Sequence, residues 1–175
     1  HPVEEKALFA SSHEDPAAKD KQKAELEFRE SGKARKYSWD YDDWYDIFEK
    51  DLKSGNLRNL TNARGYDAEG CYSPDGKLIV FASNRQAYER DLSEEEKKIL
   101  ERDKSYFSEI FLMNSDGSNL QRLTNVAGYD GGPFFNADGT QICWRRFSEN
   151  GHQAEIYVMN VDGSEQRKLT NLGKM

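Results

Sequence analysis

An all-β protein of repeated four-stranded antiparallel sheets is predicted by three observations. Leu-Thr-Asn stands at 60–62 and recurs after 63 and then 46 residues, at 123–125 and 169–171, each copy preceded by an Ile-aromatic pair: Ile47-Phe48, Ile110-Phe111 and Ile156-Tyr157. In the same phase, Ser73-Pro74-Asp75-Gly76 and the run after it, 77–83, return as Asn136-Ala137-Asp138-Gly139 and 140–144. Gly65-Tyr66-Asp67 returns as Gly128-Tyr129-Asp130. Self-similarity at such a period marks a stacked architecture, and four antiparallel strands in about 45 residues make one blade of a β-propeller.

The strands follow in order. In the second unit, strand A covers about Glu69 to Tyr72, B about Leu78 to Ser83, C about Glu109 to Met113 and D about Leu120 to Leu123. Leu78 to Ala82 and Ile156 to Met159 are short β-branched and aromatic runs bounded by turns that contain Asp-Gly. That dipeptide suits a tight hairpin: glycine accepts positive φ without steric cost, and aspartate hydrogen-bonds to nearby backbone. Leu8-Phe9-Ala10-Ser11 aligns with Val80-Phe81-Ala82-Ser83, so the first unit begins at strand B and lacks its innermost strand. The expected organisation is one partial propeller domain over 1–175: an incomplete blade at 1–62 and two complete blades at 63–125 and 126–175. Propellers close with typically four to eight blades. The chain is therefore expected to be a fragment of a longer polypeptide, with the remaining blades in the rest of that chain, or a half-ring completed by a dimer partner.

Two inserts with helical character interrupt the same B–C connection, at 12–45 and 86–108, against only 149–154 in the third unit. Ser93 with Glu96 forms a capping box ahead of a helix over 94–102. Asp15-Pro16 reads as N-cap and first residue of a helix running to about Glu30, ended by Ser31-Gly32. Up-and-down connectivity places the B–C and D–A loops on one face of the disc, which therefore carries both inserts. Connections of this length are more often functional than incidental. The helices read either as solvated elements packed on the disc or as a partner-binding rim or lid over the central channel.

The motif Ser-Pro-Asp-Gly-Lys-x-Ile-Val-Phe (73–81), then Ile-(Phe/Tyr)-x-Met-Asn-x-Asp-Gly-Ser (110–118 and 156–164), then Leu-Thr-Asn, resembles the β-propeller repeat of the TolB-like periplasmic proteins, also called the WD-like propeller repeat. The resemblance covers nearly the whole chain apart from the inserts. It implies a periplasmic or secreted protein. It leaves function open, because binding proteins, the propeller halves of serine peptidases and some polysaccharide lyases share the repeat.

Composition excludes some classes. With 25 Lys and Arg against 32 Asp and Glu, the formal charge is −7, which argues against nonspecific nucleic-acid binding. No apolar stretch approaches the ~20 residues of a membrane span. Cys71 and Cys143 align with apolar repeat positions and read as small buried residues rather than a disulfide. Phe81 and Trp144 share one repeat position and Phe111 and Tyr157 another, so each is expected between neighbouring sheets.

Candidate binding residues lie on the insert-bearing face. The stretch 37–46 carries Tyr37, Trp39, Tyr41, Trp44 and Tyr45 among four aspartates. Such a stretch stacks on sugar rings, anchors a protein partner, or packs the loop back onto the blade. Clustered carboxylates also admit Ca²⁺, although the stretch lacks the glycine-turned loop of a specific calcium motif. Tyr66, Asp67, Tyr129 and Asp130, placed in D–A loops, complete the binding set; the recurring aspartate reads equally well as a cap for backbone amides. His13 and His152, with Asp67, Glu69 and Asp130, offer a mixed set for a divalent metal, Ca²⁺ or Mn²⁺, although loop histidines are more often exposed or loop-stabilising. No cofactor is firmly implied.

Two functions from different classes remain. One is a non-catalytic propeller whose loop-rich face docks an envelope protein, a small ligand or a saccharide. The other is part of a propeller enzyme, either a metal-dependent polysaccharide lyase or the gating propeller of a serine peptidase. No Gly-x-Ser-x-Gly occurs in the chain, and a lyase would need further channel histidines, so binding is favoured.

Overall fold

The repeats fold into three successive sheets, as seen in a computed structural model that describes residues 1–35 and 41–173. The first holds β1 (Lys6–Ser11), β2 (Trp44–Asp51) and β3 (Leu57–Asn59). The second holds β4 (Gly65–Tyr72), β5 (Leu78–Ser83), β6 (Glu109–Asn114) and β7 (Gln121–Arg122). The third holds β8 (Asp130–Phe135), β9 (Gln141–Phe147), β10 (Ala154–Asn160) and β11 (Arg167–Lys168). Neighbours within each sheet are antiparallel, and a two-residue parallel ladder, Trp44 with Gly65 and Tyr45 with Tyr66, joins the first sheet to the second. The sheets form successive blades of a propeller and do not close into a ring.

The repeated words each have a physical task. The C–D turns close through aspartate: Asp116 accepts from the amide and hydroxyl of Ser118, Asp162 does the same for Ser164, and Asp51 accepts from the amides of Lys53 and Ser54. The Leu-Thr-Asn threonine works at the opposite end of the blade. Thr124 Oγ1 accepts the Ile110 amide at 2.9 Å and donates to Glu109 at 2.5 Å, while the Val126 amide donates to the same carboxylate at 3.0 Å. Thr170 repeats this with Ile156 and Glu155, and Thr61 with Ile47 and Asp46. Each blade therefore clamps a carboxylate within the first three residues of strand C to the segment just after strand D.

Two apolar layers fill the gaps between blades. Ile47, Ile79, Phe81, Phe111 and Met113 pack between the first and second sheets, and Val80, Ile110, Leu112, Phe135, Ile142, Trp144 and Met159 between the second and third. Alternate residues of β5 serve opposite layers, as a strand buried on both faces requires. Phe81 and Phe111 are stacked neighbours at 5.8 Å, and Trp144 and Tyr157 occupy the matching positions at 5.6 Å.

Several boundaries differ from the sequence expectation. Strand A starts at Gly65 rather than Glu69, so Gly65-Tyr66-Asp67 lies in β4 and not in a D–A loop; in the third sheet Asp130 opens β8 directly after Tyr129. Trp44 and Tyr45 belong to β2 rather than the first insert, because they pair with the start of β4. The first helix, α1 (Ala18–Glu30), begins two residues late, since Asp15 spends its side chain on the Ala17 amide and its carbonyl on the Ala18 amide. A four-residue helix, α2 (Gln86–Glu89), precedes the expected one, α3 (Glu94–Arg102), whose Ser93–Glu96 capping box is present. Cys71 and Cys143 are free thiols and only half-buried.

Candidate functional site

Strand A of each complete blade carries a bulge on its inner course, where the register shifts between Ala68 and Cys71 in β4 and between Gly131 and Phe134 in β8. The bulged residue takes positive φ in both, Glu69 at 58° and Gly132 at 61°. A non-glycine residue there is costly unless surrounding contacts hold it. Glu69 has such contacts: its carboxylate accepts the Tyr129 hydroxyl at 2.8 Å and the Gly132 amide at 2.6 Å, bridging one blade to the next. Gly131 leaves room for the bridge, since a Cβ there would stand 2.0 Å from Tyr129 Oη. Burial, and then the adjacent Glu69 charge, pushes the Tyr129 hydroxyl pKa up, so it remains a donor at neutral pH.

A pocket of about 290 Å³ opens beside Tyr129. Its walls come from the insert-bearing ends of all three sheets: Tyr41 from the first insert, the turn 103–106 from the second, Gly128 and Tyr129 at the entry to β8, and Arg145 and Phe147 through Gly151 from β9 and the connection after it. Tyr106 donates to Glu149 at 2.8 Å. The Arg145 guanidinium lies 5.5 Å from the Tyr129 ring and 5.4 Å from Phe147, and donates to Tyr129 Oη at 3.4 Å. Tyr41 meets Tyr66 edge-on at 4.8 Å, and burial raises its hydroxyl pKa.

The two inserts are tied together through Asp43. Asp43 accepts from Lys104 Nζ at 2.6 Å and Tyr88 Oη at 2.7 Å, and lies 3.5 Å from Arg64 Nη2. Burial opposes ionisation of Asp43, but the bonds from Lys104 and Tyr88 outweigh it and hold the carboxyl below its ordinary 3.8.

The sequence-predicted site residues divide. Tyr41 and Tyr129 meet in the pocket. Trp44 stays half-exposed on β2 beside Asn62 and Arg64. Tyr37 and Trp39 lie outside the described residues. Tyr66 is buried against Tyr41 and Tyr45. Asp67 is fully buried, accepting from Ser83 at 2.5 Å and from Arg85, with burial raising its pKa. Asp130 takes a bidentate pair from Arg146 at 2.6 and 2.7 Å. Arg85 in turn covers Phe81 and Phe111, and Arg146 covers Trp144 and Tyr157. The recurring aspartates thus anchor cations over the interblade aromatic pairs and do not cap loop amides.

The metal set does not assemble. His13 bonds to Ser11 and packs on Phe48, and His152 lies exposed in its loop. Among the described residues no three or more His, Cys, Asp or Glu side chains gather as metal ligands. Sequence reasoning missed Arg145, Tyr106 and Glu149. Arg145 alone left a signal, because it stands where the repeat has the buried Ala82.

No family model matches the chain. An uncharacterized protein of Agrobacterium fabrum is 28% identical over 111 residues, which cover 63% of this chain and 31% of that protein. A structure from Agrobacterium tumefaciens provisionally named TolB superposes with a TM-score of 0.55 at 24% identity, over 71% of this chain and 40% of its own. TolB from Acinetobacter baumannii gives 0.54 at 22% identity, over 74% and 27%. A chain of a nidogen/laminin complex gives 0.52 at 15% identity, over 74% and 42%. The chain spans less than half the length of each of these relatives, and the likeness establishes the fold.

Proposed function

From the premise that the chain carries a TolB-like β-propeller fold, we propose that it is a non-catalytic binding module of the bacterial cell envelope, periplasmic or secreted, engaging its ligand or partner at the insert-bearing face. The observation that carries this reading is the pocket at Tyr41 and Tyr129, built jointly by the loops of three successive blades. Small-ligand sites are concave, largely apolar and furnished with a few convergent polar groups, and this pocket has those properties. The nearby buried carboxylates favour binding over catalysis. Asp67 and Asp130 are held by Arg85 and Arg146, so neither is poised as a general acid, base or metal ligand. Among the described residues no helix is long and apolar enough to cross a membrane.

The test is a fragment screen on the ¹⁵N-labelled full chain, read by amide shifts. Shifts clustering at Ser105, Gly128, Tyr129 and Ser148, with every fragment recovered unchanged, are expected. Conversion of a fragment into product, or hits confined to other surfaces, would refute the reading.

A further inference from the structure

The pocket departs from the repeat at one point of unusual chemistry. Strand B of the second blade has Ala82, fully buried, where β9 has Arg145. The arginines near the end of strand B in the two complete blades, Arg146 within β9 and Arg85 just past β5, each have a carboxylate partner. Arg145 has no salt-bridge partner among the described residues. Among the described residues its one polar contact is the long bond to the neutral Tyr129 hydroxyl. Asp103 and Glu149, the acids that line the pocket, are engaged by the Ser105 amide and hydroxyl and by the Tyr106 hydroxyl, and Glu69 is held by the Tyr129 hydroxyl. The guanidinium thus lies beside the edge-to-face pair of Tyr129 and Phe147 rings, with its fork of donors facing no carboxylate partner and a cavity of about 290 Å³ next to it.

Such a guanidinium is pre-organised for a planar anion. Its N–H donors match the two oxygens of a carboxylate, and the flanking rings reduce the entropy lost on binding. The volume sits at the lower end of the ~300–1,000 Å³ usual for small-molecule sites, enough for one ring and its substituents. Tyr41, Tyr106 and Phe147 supply flat apolar walls for such a ring.

We infer that this pocket binds a small carboxylate carried on a six-membered ring, with Arg145 as the anion anchor. The inference rests on the binding reading above and narrows it to a ligand class. Aromatic acids and uronic acid sugars share this chemistry. The carboxylate pairs with the Arg145 fork, the ring lies against the Tyr129 and Phe147 side, and Glu69 keeps Tyr129 in place from behind.

The experiment titrates benzoate against benzamide, and D-glucuronate against D-glucose, into the 175-residue chain while following the amides of Ser105, Tyr129 and Ser148. At least one acid is expected to bind about tenfold more tightly than its neutral partner; which one distinguishes an aromatic from a sugar source. Arg145→Gln is expected to abolish that preference. Arg145→Lys should retain part of it, because charge remains while the fork is lost. Arg145 is exposed at the sheet surface, so both variants are expected to fold, which circular dichroism checks. No pocket shift with either acid, equal affinity for the neutral partners, or an unchanged preference in R145Q would overturn the assignment. Neutral fragments that still shift the pocket amides irrespective of residue 145 would leave the broader binding reading standing.

Discussion

Replacing Thr124 by valine isolates the clamp that recurs in all three blades. The substitution keeps side-chain shape at a site only 2% exposed, so no cavity opens. Two bonds disappear: the Ile110 amide loses its acceptor, and Glu109 loses a donor at 2.5 Å. A hydrogen bond to a charged group is worth about 1.5–3 kcal/mol, and a stranded buried amide costs about 1–3 kcal/mol. Added burial of one methyl group offsets about 1 kcal/mol, leaving an expected loss of about 3 kcal/mol. The loss should depend on pH. Burial already raises the Glu109 pKa above its ordinary 4.5, against the opposing bonds from Thr124 and Arg122, and removing Thr124 raises it further. A raised folded-state value stabilises the fold fully below the unfolded pKa and loses that contribution as pH rises through the folded pKa. The penalty of T124V should therefore be smaller below about pH 4 than at pH 7. Urea unfolding at both values, with m held constant, measures it. A loss under about 1 kcal/mol at pH 7, or one independent of pH, would refute the clamp as a load on stability.

Other consequences can be checked separately. Phe81→Ala should cost about 3–5 kcal/mol in the same assay, since the ring is fully buried between two sheets; a loss below 1 kcal/mol would undermine the blade register. Asp67→Ala leaves Arg85 buried without its partner and should cost about 3–5 kcal/mol, whereas Arg85→Met with Asp67→Leu should recover much of that in a double-mutant cycle. The depressed Asp43 pKa contributes stability above 3.8 that is lost as pH falls through the folded value. Amide protection over 104–107, corrected for intrinsic exchange, should then fall ahead of global unfolding on acidification; simultaneous loss everywhere would contradict an insert tie at Asp43. Ser93→Ala should weaken α3 by about 0.5–2 kcal/mol, seen as faster exchange confined to 94–102.

Legibility in the sequence followed how local each cause is. Strand B of the second blade was read to its final residue, because Leu78 to Ala82 is apolar throughout and bracketed by a turn and a polar stretch that opens at Ser83. Helix α3 was equally legible, its capping box being contained within four residues. The start of strand A was not. Gly65 at φ 133° and a bulge at Glu69 break the period-two pattern, and a Gly-Tyr-Asp string reads as a loop. The pocket was half visible: aromatic content pointed to Tyr41 and the recurring Gly-Tyr-Asp to Tyr129, yet the Glu69–Tyr129 bridge joins residues 60 apart and has no local signature. The partners of Asp67 and Asp130 were hidden differently, because Arg85 and Arg146 do the same work from different repeat positions.

The threonine clamp also bears on how the molecule tolerates change. It grips a carboxylate within the first three residues after each B–C connection re-enters the sheet: Asp46 after the first insert, Glu109 after the second, Glu155 after the short third loop. The same bonds therefore terminate a connection of a few residues and one of more than thirty. Each blade functions as a socket whose rim is sealed from the sheet side, so what is plugged into it can be lengthened, shortened or exchanged without disturbing the strands below. Grafting the short third connection in place of the second insert should leave the apolar layers intact and remove only the pocket wall that the insert supplies.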